Sequence, residues 1–278
     1  MADTIGKIWF AVDGKHRGVA LENLTQAFGG KKSRREIRIL ARRVFGHLVL
    51  AIFEICRSFR MGEDDFLRQV RITGITHLTT ARAKGRGVLL LSAHIGNWEF
   101  LNFVIRIIGF PITAIYRPLE NPPADRVVLA FRSRFGANLY PKYNAMRKIL
   151  RSLSRGELVG ILLDQDAHNE DGVFVDFFGR PACTNKGLAL VARGTQAPVI
   201  PVFIFREEKT FHMDIQPEVP LQRTRDKQAD IIVNTRAFNR IIEAAILRHP
   251  EQWFWVHRRW KTRPRDGRLL PYNVPTAK

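Results

Sequence analysis

Val88-Leu89-Leu90-Leu91-Ser92-Ala93-His94-Ile95-Gly96-Asn97-Trp98-Glu99-Phe100 decides how the rest of this chain is read. A short apolar run of strand character ends at Ala93, and an amphipathic helical pattern begins near Asn97 and runs to about Ile108. On one continuous helix, His94 and Glu99 would stand about 140° apart and share no face. A strand-to-helix turn changes that geometry. Gly96 permits a tight bend, Asn97 can cap the helix, and Glu99 in the first turn can point back at the imidazole. A carboxylate on one ring nitrogen fixes the tautomer and leaves the other nitrogen as an outward-facing base. Such a pair suits deprotonation of a hydroxyl. A structural histidine at a strand end would show the same spacing, so the rest of the chain must decide.

Outward from this stretch, strand patterns alternate with helical ones. Val19 to Phe28 is weakly helical. Ser33 with Glu36 forms a capping box that opens a helix. Its apolar residues Ile37, Leu40, Ala41, Val44, Phe45, Leu48, Ile52 and Ile55 fall close to one face. The basic N-terminal half and apolar C-terminal half suit packing on the core, with a membrane-facing edge as second reading. Phe66 to Thr73 reads as a strand and Ile75 to Lys84 as a helix. Beyond the central motif come a strand at Ile112–Tyr116, helices over Pro123–Phe135 and Tyr143–Arg155, and a strand at Leu158–Leu163. A helix over Thr184–Gly194, a strand over Pro198–Phe205 with a hairpin partner Thr210–Ile215, and a long helix over Ala229–His249 follow. The alternation predicts an α/β fold: a mixed, mainly parallel sheet flanked by helices, after an N-terminal helical segment at 1–62. Residues 63–278 would form the α/β domain, the two parts making one structural unit.

Three predicted strand ends deliver His94, Arg117 and Asp164: a base, a cation and a carboxylate. In parallel α/β sheets the carboxyl ends of the strands form the ligand crevice, so these three mark the expected site.

The chain has 278 residues, 45% of them hydrophobic, enough for a sizeable core. Cys56 and Cys183 fit no metal spacing and no disulfide framework, which points to a reducing compartment. No secretory signal and no membrane span is read; the most apolar candidate, His47 to Cys56, is too short, holds Glu54 and is flanked by Arg43 and Arg57. A net charge of +19 predicts an acidic partner. The basic residues gather at Lys31, Lys32, Arg34, Arg35, Arg38, Arg42 and Arg43, and again at Arg258, Arg259, Lys261, Arg263, Arg265 and Arg268. Either run can also be a solvated face. Gly29-Gly30-Lys31-Lys32-Ser33 lacks the preceding strand and first glycine of a phosphate loop, and Asp164-Gln165-Asp166 lacks the glycine and glutamate of a calcium loop. No zinc motif, nucleophile elbow or nucleic-acid-binding signature is present, so a nucleic-acid role would rest on charge alone and is not expected.

At His94-Ile95-Gly96-Asn97-Trp98-Glu99 the sequence resembles the lysophospholipid acyltransferase superfamily, and more narrowly the bacterial lipid A biosynthesis acyltransferases that add lauroyl or myristoyl chains. Further blocks agree in order: Tyr116-Arg117-Pro118 with Asn121; Asp164-Gln165-Asp166 followed by Gly172-Val173-Phe174-Val175-Asp176-Phe177-Phe178-Gly179 and Pro181-Ala182; and Trp255-Val256-His257-Arg258-Arg259-Trp260-Lys261-Thr262-Arg263-Pro264. These cover about residues 17 to 266. The resemblance implies an O-acyltransferase with a glycerophosphate acyltransferase-like fold, moving an acyl group from a thioester to a lipid hydroxyl. His94 would be the general base and Glu99 its orienting partner. Backbone amides near Gly96 or the Arg117 guanidinium would face the oxyanion, with Gly96 and Asn97 lining the substrate site. Arg117 suits a phosphate or donor-head contact, or a structural salt bridge. Asp164 would hold the site's arginine or a substrate hydroxyl, or cap a helix. Arg258 and Arg259 would grip lipid phosphates or acyl carrier protein, while Trp255, His257 and Trp260 fit an interfacial belt.

No cofactor or metal is expected beyond the co-substrate, acyl carrier protein thioester, with acyl coenzyme A as the alternative donor. The expected partners are acyl carrier protein and anionic membrane lipid. The expected location is peripheral, on the cytoplasmic face of the bacterial inner membrane. Such enzymes usually begin with an apolar anchor helix that this chain does not show, so it is peripheral or trimmed at its start.

Overall fold

The computed structural model describes residues 1–118, 121–134, 136–141 and 145–264. Three helices open the chain: α1 (Ala2–Val12), α2 (Gly14–Phe28) and α3 (Arg34–Ser58). Ser33 and Glu36 close the expected capping box on α3, whose apolar stripe is buried except at Ile52, which is exposed, and Ile55, which is half-buried. α1 lies against α3 closely enough that a Cβ on Gly6 would come within 2.5 Å of the Gly46 Cα.

The sheet follows. α4 (Glu63–Gln69) leads into β1 (Val70–Thr73), α5 (Ile75–Ala83) into β2 (Val88–Ser92), and α6 (Glu99–Ile107) into β3 (Ile112–Tyr116). Then come α7 (Pro122–Ser133), β4 (Asn138–Pro141), α8 (Ala145–Ser154), β5 (Leu158–Leu162), and a two-stranded ribbon of β6 (Gly172–Phe177) and β7 (Arg180–Asn185). α9 (Gly187–Thr195), β8 (Val199–Glu207), β9 (Thr210–Ile215) and α10 (Lys227–Arg248) complete the order, with a short 3-10 turn at Pro250–Gln252. Among the described residues, seven strands form one sheet in the order β1-β9-β8-β2-β5-β3-β4, parallel except at β8–β9.

β2 shows why this chain layers as it does. All five of its residues are buried. Leu89 and Leu91 belong to the core shared with α1–α3, α9 and α10, whereas Val88 and Leu90 belong to the core beneath α4, α5 and α6. Side chains alternate across a strand, so four successive apolar residues, Val88 to Leu91, need cover on both faces. The fold class is therefore the one the sequence implies. Two assignments differ. Residues 63–69 are helical, because the acidic triplet Glu63-Asp64-Asp65 opens a helix at its favoured N-terminal turn before the strand begins at Val70. Thr184 and Asn185 close the β6–β7 ribbon, so the helix there starts at Gly187. Phe135 and Tyr143, the expected ends of two helices, and the basic residues Arg265 and Arg268 lie outside the described residues.

Candidate active site

β2 and β5 are parallel neighbours with Ser92 opposite Leu162. Two residues farther along each, His94 therefore stands opposite Asp164. The contact is double: the His94 backbone N–H donates to Asp164 Oδ2 at 3.0 Å, and His94 Nδ1 lies 2.8 Å from Asp164 Oδ1. The Trp253 indole N–H adds a third bond, to Oδ2, at 2.6 Å. Asp164 is buried, which works to raise its pKa, but the charge of His94 and the bonds from His94 and Trp253 outweigh burial and hold it below the ordinary value. An ionised Asp164 keeps the imidazole proton on Nδ1. Nε2 then carries the lone pair, 3.4 Å from the Gln165 side-chain nitrogen. Trp98 and Phe254 flank the ring with centroids 5.2 and 6.1 Å away, and the imidazole keeps an 18% exposed edge.

The loop behind His94 is fixed from three sides. Gly96 has φ +60°, and a Cβ there would come within 2.0 Å of the Ile204 carbonyl oxygen. Its N–H donates to Gln252 O, and the Phe254 N–H donates to His94 O. Asn97 is buried and gives its amide to Ala51 O and to Glu54 Oε2 of α3, while Glu54 in turn pairs with Arg206. His47 of α3 lies 3.3 Å from Gly96 O.

Several expected roles change accordingly. Glu99 does not orient the imidazole: Arg132 of α7 clasps both its oxygens, Nε to Oε2 at 2.8 Å and Nη2 to Oε1 at 2.6 Å. A guanidinium fork fits a carboxylate edge-on, and a first-turn helical residue is well placed to meet the neighbouring helix. Asp164 takes the place at Nδ1 because strand register, not sequence proximity, brings it there. The Gly96 amide already donates to Gln252 O, and Asn97 caps no helix but braces the loop. Arg259 is fully buried, donating to Cys183 O at 2.8 Å and Thr184 Oγ1 at 2.5 Å, with its guanidinium 4.7 Å from the Phe177 centroid. Burial pushes its pKa down to about 10, and a residue so enclosed grips no lipid. Trp255 and Trp260 are core residues, not an interfacial belt. His257 Nε2 accepts from the Asp166 N–H at 3.0 Å, and burial holds its pKa low. Arg258, Lys261 and Arg263 are exposed.

Arg117, the first residue after β3, stands at the same sheet edge as His94 and Asp164, exposed and without a partner among the described residues. Trp253, the third member of the His94–Asp164 contact, carried no signal in the sequence beyond membership of an aromatic C-terminal stretch. Among the described residues no group of three or more His, Cys, Asp or Glu side chains converges as a metal site would. Nor is any helix among them long and apolar enough to cross a membrane. The arrangement is an imidazole held by a buried carboxylate, at the carboxyl ends of neighbouring strands that also offer an exposed cation.

The sequence model of the bacterial lipid A biosynthesis acyltransferase family matches residues 1–262. The chain is 28% identical over 258 residues to a lipid A biosynthesis acyltransferase of Haemophilus influenzae, covering 92% of this chain and 79% of that protein. It is 28% identical over 255 residues to the lipid A biosynthesis palmitoleoyltransferase of Escherichia coli, covering 90% and 80%. To the Escherichia coli lipid A biosynthesis lauroyltransferase it is 26% identical over 269 residues, covering 94% and 84%.

Proposed function

This chain belongs to the bacterial lipid A biosynthesis acyltransferase family and is an O-acyltransferase; from that premise we propose that it moves a fatty acyl chain from acyl carrier protein thioester to a hydroxyl of a lipid A precursor, with His94 as general base. The observation that carries this reading is the His94–Asp164–Trp253 contact, which occupies Nδ1 and leaves the base role to Nε2, beside the Gln165 amide at 3.4 Å. Nε2 takes the proton of the acceptor hydroxyl as its oxygen attacks the thioester carbonyl. The imidazolium that forms is stabilised by the Asp164 carboxylate beside Nδ1, and the proton then passes to the departing thiolate. No covalent enzyme intermediate is needed. With the Gly96 amide engaged, the exposed Arg117 is the residue at this edge suited to the oxyanion or to a phosphate of donor or acceptor.

The acidic donor protein and anionic lipid both match a chain of charge +19, and Arg258, Lys261 and Arg263 remain outward for either. We place the protein peripherally on the cytoplasmic face of the inner membrane, where thioester donor and lipid acceptor meet. Acyl coenzyme A is the second donor to try, because it offers the same phosphopantetheine thioester. Mass spectrometry of lipids after incubation with acyl carrier protein thioester and a lipid A precursor tests the reading. A product heavier by one acyl group, absent with His94→Ala, is expected. Free fatty acid alone would instead make the protein a thioesterase.

A further inference from the structure

On the N-terminal side of the α3 residues that touch the histidine loop, the three N-terminal helices enclose an open pocket of ≈ 510 Å³ lined by Lys7, Phe10, Ala11, Arg17, Arg38 and Arg42. Its floor is the buried Phe10 ring, and the guanidinium carbons of Arg17, Arg38 and Arg42 stand 5.8, 5.7 and 5.8 Å from that one centroid. No two of them are therefore farther apart than twice that distance. Arg17 is fixed in place, Nη1 donating to Phe10 O at 2.8 Å and Ala11 O at 2.6 Å. Lys7 is tied to Asp3 at 2.6 Å. Arg38 and Arg42 meet no carboxylate among the described residues. Three arginines gathered on one ring repel one another, and their forks are suited to the oxygens of a phosphate.

Beside the pocket, Met1 at the cap of α1 and Ile5, Ile8 and Val12 along it turn outward, 88%, 39%, 58% and 76% exposed. Their spacing of four, three and four residues puts them on one helical face. Lys7 and Ala11 follow round the helix, and Gly6 and Phe10 face inward. An apolar face bordered by arginines is the pattern of a helix lying in a bilayer interface.

We propose that this pocket binds the headgroup phosphate of an anionic phospholipid while the outer face of α1 lies among the acyl chains. It deepens the membrane reading given above and rests on it for the source of the phosphate. The site is separate from the chemistry at His94, so His94→Ala is expected to lose transfer and keep vesicle binding.

The test is co-sedimentation with vesicles of phosphatidylcholine, or of phosphatidylcholine and phosphatidylglycerol three to one. The double variant Arg38→Gln/Arg42→Gln is compared with Arg225→Gln/Lys227→Gln, which removes the same charge at the head of α10. The pocket variant is expected to bind mixed vesicles about thirtyfold more weakly, and the control at most about threefold. Ile8→Glu should weaken binding as well, and Arg38 and Arg42 are exposed enough that the fold is expected to survive their loss. Equal losses in the two double variants would reduce the effect to net charge and overturn the site. So would unchanged binding by the pocket variant. A third arm adds inorganic phosphate at matched ionic strength. Stabilisation of the wild type with vesicle binding unaltered would assign the pocket to free phosphate and overturn the lipid assignment.

Discussion

Gly96 and His47 are the residues whose substitution reads the site's construction most plainly. Gly96 combines a left-handed φ with a backbone oxygen 2.0 Å from where a Cβ would sit. Neither partner is the flexible end of a side chain, so the His94 loop or β8 must move. Gly96→Ala is expected to cost about 3 kcal/mol, seen as a lower Tm and as lost transfer. His47 sits buried against the same loop, and burial holds its pKa below the ordinary 6.5. The unfolded chain takes up that proton near 6.5 while the folded one does not. Stability is therefore full above this value and is lost as pH falls below it. His257 acts in the same direction. Thermal melts between about pH 7.5 and 5.5 should show Tm falling with acidification, and His47→Gln should flatten part of that slope. An identical slope in the variant would remove His47 from the account. At this scale His94 and Asp164 were both legible, as polar residues ending apolar runs. Their pairing was not, because it depends on which strands are neighbours.

The elements explain what becomes of Glu99. It opens α6 and joins that helix to α7 through Arg132, whose guanidinium its bonds hold more firmly protonated against the burial that works to release the proton. If Glu99 acts by fastening the two helices beside His94, Glu99→Gln and Arg132→Gln should lose similar stability and transfer, and the double variant should be little worse than either. Partly buried pairs of this kind lose about 1–3 kcal/mol when one partner goes. Loss of transfer in Glu99→Gln with full transfer in Arg132→Gln would instead put Glu99 on the imidazole itself. Element reading from the sequence succeeded where the signal was local. The Ser33–Glu36 box marked α3, and the apolar run from Val88 to Leu91 marked the strand before His94. It failed at 63–69, where apolar Phe66 and Leu67 resembled a strand although the acidic triplet before them favoured a helix. It failed again at the β6–β7 ribbon, whose pairing spans a turn at Phe178 and Gly179 that no periodicity reveals.

At the scale of the whole molecule, the C-terminal residues act as a brace. Gln252 holds Gly96 and the backbone of Arg206, Phe254 holds His94 O, Trp253 holds Asp164, and Asn23 of α2 ties down the carbonyls of Trp255 and His257. Such contacts between distant parts of the chain left the aromatic and basic run after Gln252 looking like a surface. Its aromatic residues are mostly interior, and Arg259 with them. The central claim is that this frame sets Asp164 against His94 so that Nε2 can act as base. The most direct measurement is the steady-state rate of acyl transfer by Asp164→Asn, with Tm followed alongside. The amide cannot stabilise the imidazolium, so kcat should fall about 10²–10⁴-fold while KM for the acceptor changes little. A folded Asp164→Asn with kcat within about threefold of the wild type would contradict the claim.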